Sequence, residues 1–135
     1  MVFKKPDEEF VKEGAEKITP EDIKTAEERS EEINKSFSAR GPLKRFIEDG
    51  KLLTALLKDW RSGSYRKALY GTIAAAAFAL LYVFNPFDLM PDVLPIIGAV
   101  DDAAVVGACL MLIERDLRQY RSWKENQLML NAPKG

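Results

Sequence analysis

The sequence predicts an all-α protein: a small helical bundle built on an apolar helical hairpin, about residues 65–84 and 102–124, with a Pro/Asp-rich turn between the arms. Three observations carry that expectation. Residues 68–84 hold no charge, a run too long for a strand and suited to a helix. Apolar groups recur at helical steps through residues 43–60. No stretch alternates apolar and polar residues in the way a half-buried strand does.

The elements follow in order. Residues 1–40 are crowded with charge and poor in large apolar groups, and are expected to form a partly flexible N-terminal segment. Within it, Thr19 reads as an N-cap, Pro20 as the first helical residue, and Glu21 and Asp22 as first-turn acids. Ile23, Ala26, Ser30, Ile33 and Phe37 then recur at steps of three and four, forming one thin stripe. So narrow a stripe suggests a solvated, frayed helix over a docked one. Ala39-Arg40-Gly41-Pro42 breaks the segment and opens a helical domain over 41–126.

Residues 43–60 form an amphipathic helix with Leu43, Phe46, Ile47, Leu53, Leu57 and Trp60 on one face. That face either packs on the protein or lies in a membrane interface. Arg61-Ser62-Gly63-Ser64 is a turn, and the apolar helix runs on to Phe84. It is hydrophobic all round, which fits a fully buried core helix or a short membrane helix. Pro86 forces its end. Residues 103–113 are apolar again, helix-compatible residues continue to about 124, and 127–135 is expected to be a loose tail.

Composition excludes several classes. The chain has 135 residues and a formal net charge of −1, so no long-range field points to nucleic acid. It has no histidine, which removes the usual general base and the commonest zinc ligand. Cys109 is the single cysteine and is flanked by apolar residues, so a buried inert thiol is expected. The N-terminus lacks the features of a signal peptide.

Between Lys67 and Glu114 the only charges are Asp88, Asp92, Asp101 and Asp102. Arginines and lysines flank the apolar region on both outer sides. That layout satisfies the positive-inside rule for a membrane hairpin with both termini cytoplasmic. The second arm argues against two full crossings, since aspartates inside it are costly and without them it is too short. The alternative is a cytoplasmic helical bundle. Acids in apolar surroundings must cap, pair or bind something. Converging on one end of the hairpin, the four carboxylates would suit magnesium, manganese or calcium. As caps, they would stabilise the turns after Pro86 and Pro91 and the start of the next helix. Caps are the commoner use.

The run from Tyr82 through Asn85, Pro86, Asp88, Leu89, Pro91, Asp92, Pro95 and Gly98 to Asp101-Asp102 resembles the YkvA-like family, a domain of unknown function (number 1232). The resemblance covers about residues 52–120 and departs from the family pattern at Asn85 and Met90. It implies a small helical, often membrane-associated domain with no established activity. Asp88, Asp92, Asp101 and Asp102 are its signature positions, with Asn85, Pro86, Pro91, Pro95 and Gly98 shaping the turn. No nucleophile motif, phosphate loop or cofactor motif accompanies them. The expectation is therefore a non-enzymatic, membrane-associated adaptor or scaffold with a protein partner or a second copy of itself. A divalent-cation site at the hairpin tip and a soluble oligomerising bundle are the alternatives.

Overall fold

A computed structural model describes residues 7–85 and 102–131. Among them the chain is helical and contains no strand. The helices are α1 (Glu8–Glu16), α2 (Pro20–Glu28), α3 (Ser30–Ala39), a 3-10 segment (Gly41–Phe46), α4 (Ile47–Ser62), α5 (Tyr70–Phe84), α6 (Asp102–Leu112) and α7 (Glu114–Leu130).

The N-terminal segment departs from expectation. Asp7 caps α1 by accepting the Phe10 N–H at 3.1 Å. Thr19 and Asp22 form a reciprocal capping box with bonds of 3.1 and 2.9 Å, and Pro20 opens α2 as its spacing predicts. The stripe expected on one frayed helix is divided at Arg29 between α2 and α3. It is not solvated. Ile23, Ala26, Ile33 and Phe37 are buried, and so are Phe10, Val11 and Ile18. Each buried Phe, Ile or Val stabilises by about 1.5–3 kcal/mol relative to exposure. A stripe too thin for an isolated helix is enough when the facing surface is itself wholly apolar.

That surface is α5. Residues Thr72 to Val83 are all buried, because α1, α2, α3, α4 and α6 all pack against this one helix. Small side chains, Ala74 to Ala77 and Ala79, let so many neighbours approach. Gly14 on α1 meets the Phe78 ring so closely that a Cβ there would fall 2.2 Å from it. Phe10 adds edge-on contacts to Phe78 and Tyr82 with ring centroids 5.6 and 5.9 Å apart.

The all-round apolarity of α5 therefore serves a protein core. The helix has 15 residues, which is about 22 Å long against a hydrocarbon core of about 30 Å. Among the described residues no helix is long and apolar enough to cross a membrane. The membrane hairpin suggested by the charge layout also includes residues 86–101, which lie outside the described residues; its described arms open with α5 of 15 residues and α6 of 11. The interfacial alternative for 43–60 is corrected: Leu43, Leu53, Leu56 and Leu57 are buried, and Phe46, Ile47 and Trp60 pack against the same core.

α4 ends at Gly63, whose φ of 87° is left-handed and free of strain only without a Cβ. The second hairpin arm is two helices, because the chain bends at Ile113. α7 runs to Leu130, so residues 127–130 of the expected loose tail are helical.

Candidate functional site

The signature end of the hairpin begins where α5 stops. Asn85 follows the helix with its N–H bonded to the Leu81 carbonyl at 2.7 Å. Asp102 opens α6 and is buried at 8% exposure. Its position in the first turn suits the positive end of the helix dipole. Arg40, between α3 and the 3-10 segment, donates from Nη1 to Asp102 Oδ2. A cation absent from the surrounding sequence thus arrives from 62 residues away. Asp88, Asp92, Asp101, Pro86, Pro91, Pro95 and Gly98 lie outside the described residues. Among the described residues no group of three acidic or thiol side chains is placed to hold a metal ion.

Two further aspartates on the hairpin's flanks carry architecture that sequence inspection missed. α5 starts at Leu69 without a cap from its own side chains. Asp116 on α7 supplies one: its Oδ2 accepts the Thr72 hydroxyl at 2.5 Å and the Leu69 N–H at 3.3 Å. Asp59 on α4 accepts the Tyr120 hydroxyl at 2.5 Å and the Lys124 ammonium at 3.0 Å. Burial, then the bond to Asp59, pushes the Tyr120 hydroxyl well above the ordinary tyrosine range. These aspartates stand in segments that read as ordinary charged helix faces, with no local signal of their remote partners. Cys109 is buried, as expected: burial pushes the thiol up to about 12, and it donates to the Ala75 carbonyl at 3.5 Å.

The Asp116 end of the bundle also exposes apolar surface. Leu69 is 70%, Tyr70 47% and Met111 68% exposed. α5 begins here and α6 ends here. A groove of about 590 Å³ runs between them and α1, bordered by Ile18, Leu69, Tyr70 and Leu112, with Lys12 and Glu16 at its edge. Arg66 and Arg115 flank the cluster in sequence and are exposed. The exposed run Leu128-Met129-Leu130 ends α7.

A single buried apolar helix wrapped by amphipathic ones defines a small all-α bundle domain. The family model described as a protein of unknown function, DUF1232, matches residues 72–108. The chain is also similar to "Uncharacterized membrane protein YkvA" of Bacillus subtilis (strain 168), with 36% identity over 90 residues, covering 67% of this chain and 85% of that protein. The chain belongs to this family, YkvA-like DUF1232. No solved structure matches it significantly.

Proposed function

We propose that this protein is a peripheral membrane-docking helical module that acts as an adaptor rather than an enzyme. The observation that carries the proposal is the joint exposure of Leu69, Tyr70 and Met111 at one end of the bundle. Side chains of this size are ordinarily covered, and large exposed apolar patches mark interaction surfaces. A tyrosine beside leucine and methionine suits the headgroup layer of a bilayer, and the exposed Arg66 and Arg115 that flank them in sequence, with Lys12 at the groove edge, offset Glu16 and Glu114 there and favour anionic lipid. Similarity to a protein named as a membrane protein supports the choice of a lipid surface. Docking by an end also reconciles that name with a central helix enclosed by protein. The opposite end, with Arg40 and Asp102, then faces away and is available to a partner.

Co-sedimentation with vesicles of phosphatidylcholine and phosphatidylglycerol tests the proposal. The native chain should pellet with the mixed vesicles, and the Leu69→Glu/Met111→Glu variant should stay in the supernatant with its helical circular dichroism intact. In cells, alkaline carbonate should release the protein from membranes. A native chain that ignores anionic vesicles, or a carbonate-resistant one, would overturn it.

A further inference from the structure

A second groove, of about 640 Å³, lies between α7 and the loop residues 65–67. Its α7 wall is one helical face, since Arg118, Ser122 and Asn126 follow at steps of four with Gln119 and Trp123 beside them. Tyr65 and Lys67 form the opposite wall. The floor is aromatic. Trp123 lies 5.0 Å from the Tyr65 ring and stacks at 5.9 Å on Tyr120.

The charge of this groove is one-sided. It is lined by two cations and by amide and hydroxyl donors, and by no carboxylate. Other cations of the bundle are held by acids, Arg40 by Asp102, Arg61 by Glu27 and Lys124 by Asp59. Lys67 has no ion pair among the described residues. Arg118 reaches only Glu114, at 3.8 Å, with both side chains about 70% exposed. A pair that long and that wet holds its arginine weakly. The two acids near the aromatic floor are already engaged, Asp59 by Tyr120 and Lys124, and Asp116 by Thr72 and Leu69.

We propose that this groove binds a phosphate ester, with Lys67 and Arg118 on the phosphoryl oxygens. Ser122, Gln119 and Asn126 add neutral donors, and the Trp123 indole packs against the ester's carbon skeleton. A phosphoryl group fits better than a carboxylate because its several oxygens can meet an ammonium and a guanidinium from opposite walls at once. The ester can be a free metabolite or a lipid headgroup. This inference does not depend on the apolar end of the bundle, since a soluble ester satisfies it without a membrane.

Trp60 and Trp123 are the only tryptophans, so Trp60→Phe leaves Trp123 as sole reporter. Its fluorescence would be titrated with glycerol 3-phosphate and, separately, with phosphatidylcholine vesicles carrying phosphatidate. Vesicles carrying oleate at equal charge serve as the carboxylate control. The Trp123 indole N–H resonance of the native chain gives a second readout. A response to glycerol 3-phosphate assigns a free ester. A response confined to phosphatidate vesicles assigns a lipid headgroup. In either case Lys67→Gln/Arg118→Gln should weaken binding by about tenfold or more. Silence in both readouts, equal response to oleate, or an unchanged affinity in the double variant would overturn the assignment. Because Leu69 and Met111 are untouched, vesicle pelleting by the double variant separates failure here from failure of membrane docking.

Discussion

Gly14→Ala sets two effects against each other. The residue lies inside α1 with ordinary helical backbone, since Gly63 alone has a positive φ among the described residues. On propensity alone, alanine there should stabilise the helix by about 1 kcal/mol. Packing acts in the opposite direction. The new Cβ would fall 2.2, 2.4 and 2.5 Å from three atoms of the Phe78 ring. Ordinary carbon contacts are about 3.5–4.0 Å, so ring and helix must separate by more than about 1 Å. Phe78 is fully buried and hemmed by Phe10 and Tyr82. Overpacking of this kind costs about 1–3 kcal/mol or more, which exceeds the propensity gain. We expect a net loss of roughly 1–2 kcal/mol in urea unfolding, with faster amide exchange across α1. Gly107→Ala is the matched control. Its Cβ would meet only Phe46, at an ordinary 3.7 Å, inside α6. That variant should gain roughly 0.5–1 kcal/mol. Gly14→Ala combined with Phe78→Leu should recover part of the loss relative to Phe78→Leu alone. If Gly14→Ala stabilises as Gly107→Ala does, α1 is not seated on α5, and the enclosure of that helix is wrong.

Asp116→Ala removes the remote cap of α5 and strands the Thr72 hydroxyl, and should cost about 1–2 kcal/mol in chemical denaturation, with early exchange at residues 69–72. Arg40→Ala leaves the buried Asp102 carboxylate without its guanidinium; we expect a loss of about 2–4 kcal/mol, largely recovered by Arg40→Ala/Asp102→Asn, and a double-mutant cycle reads the coupling. Cys109 should resist thiol reagents at pH 8 in the native protein and react at once in urea, since burial holds the thiol at about 12. Stability should fall at alkaline pH. With Cys109 raised from 9.0 to about 12, and Tyr65 and Tyr120 also raised, the unfolded chain sheds protons that the folded one keeps. Stability is therefore full below about pH 9 and declines as pH climbs toward the folded values, measured by urea midpoints between those limits.

The helices that caps and periodicity mark were the legible ones. Thr19 and Pro20 start α2 as their types require, and the apolar face of the expected helix 43–60 is buried, Leu43 and Phe46 on the 3-10 segment and the rest on α4, which starts only at Ile47. The two breaks at Arg29 and Ile113 were not legible, because neither carries proline or glycine and each side of the break continues the helical pattern. The role of Asp102 was half legible. Its position at a helix start follows from the apolar run after it, whereas its partner Arg40 sits in a segment that reads only as a chain break. Asp59 and Asp116 gave no signal, since a carboxylate on a charged helix face looks the same whether its partner is water or a distant hydroxyl.

The all-α class, the family and the burial of Cys109 follow from the order of residues, because helix periodicity, proline placement and local apolarity are properties of neighbours in the chain. The environment of α5 does not. A helix apolar on every side requires only that water be excluded, and lipid or protein does that equally well. The choice is made by α1, α2 and α3, whose narrow stripes are too weak to specify docking alone. They complete a shell around α5 only when Gly14, the alanines of α5 and Phe78 let the backbones come close. Burial is a sum over surfaces brought together from the whole chain, so tertiary structure alone decides it.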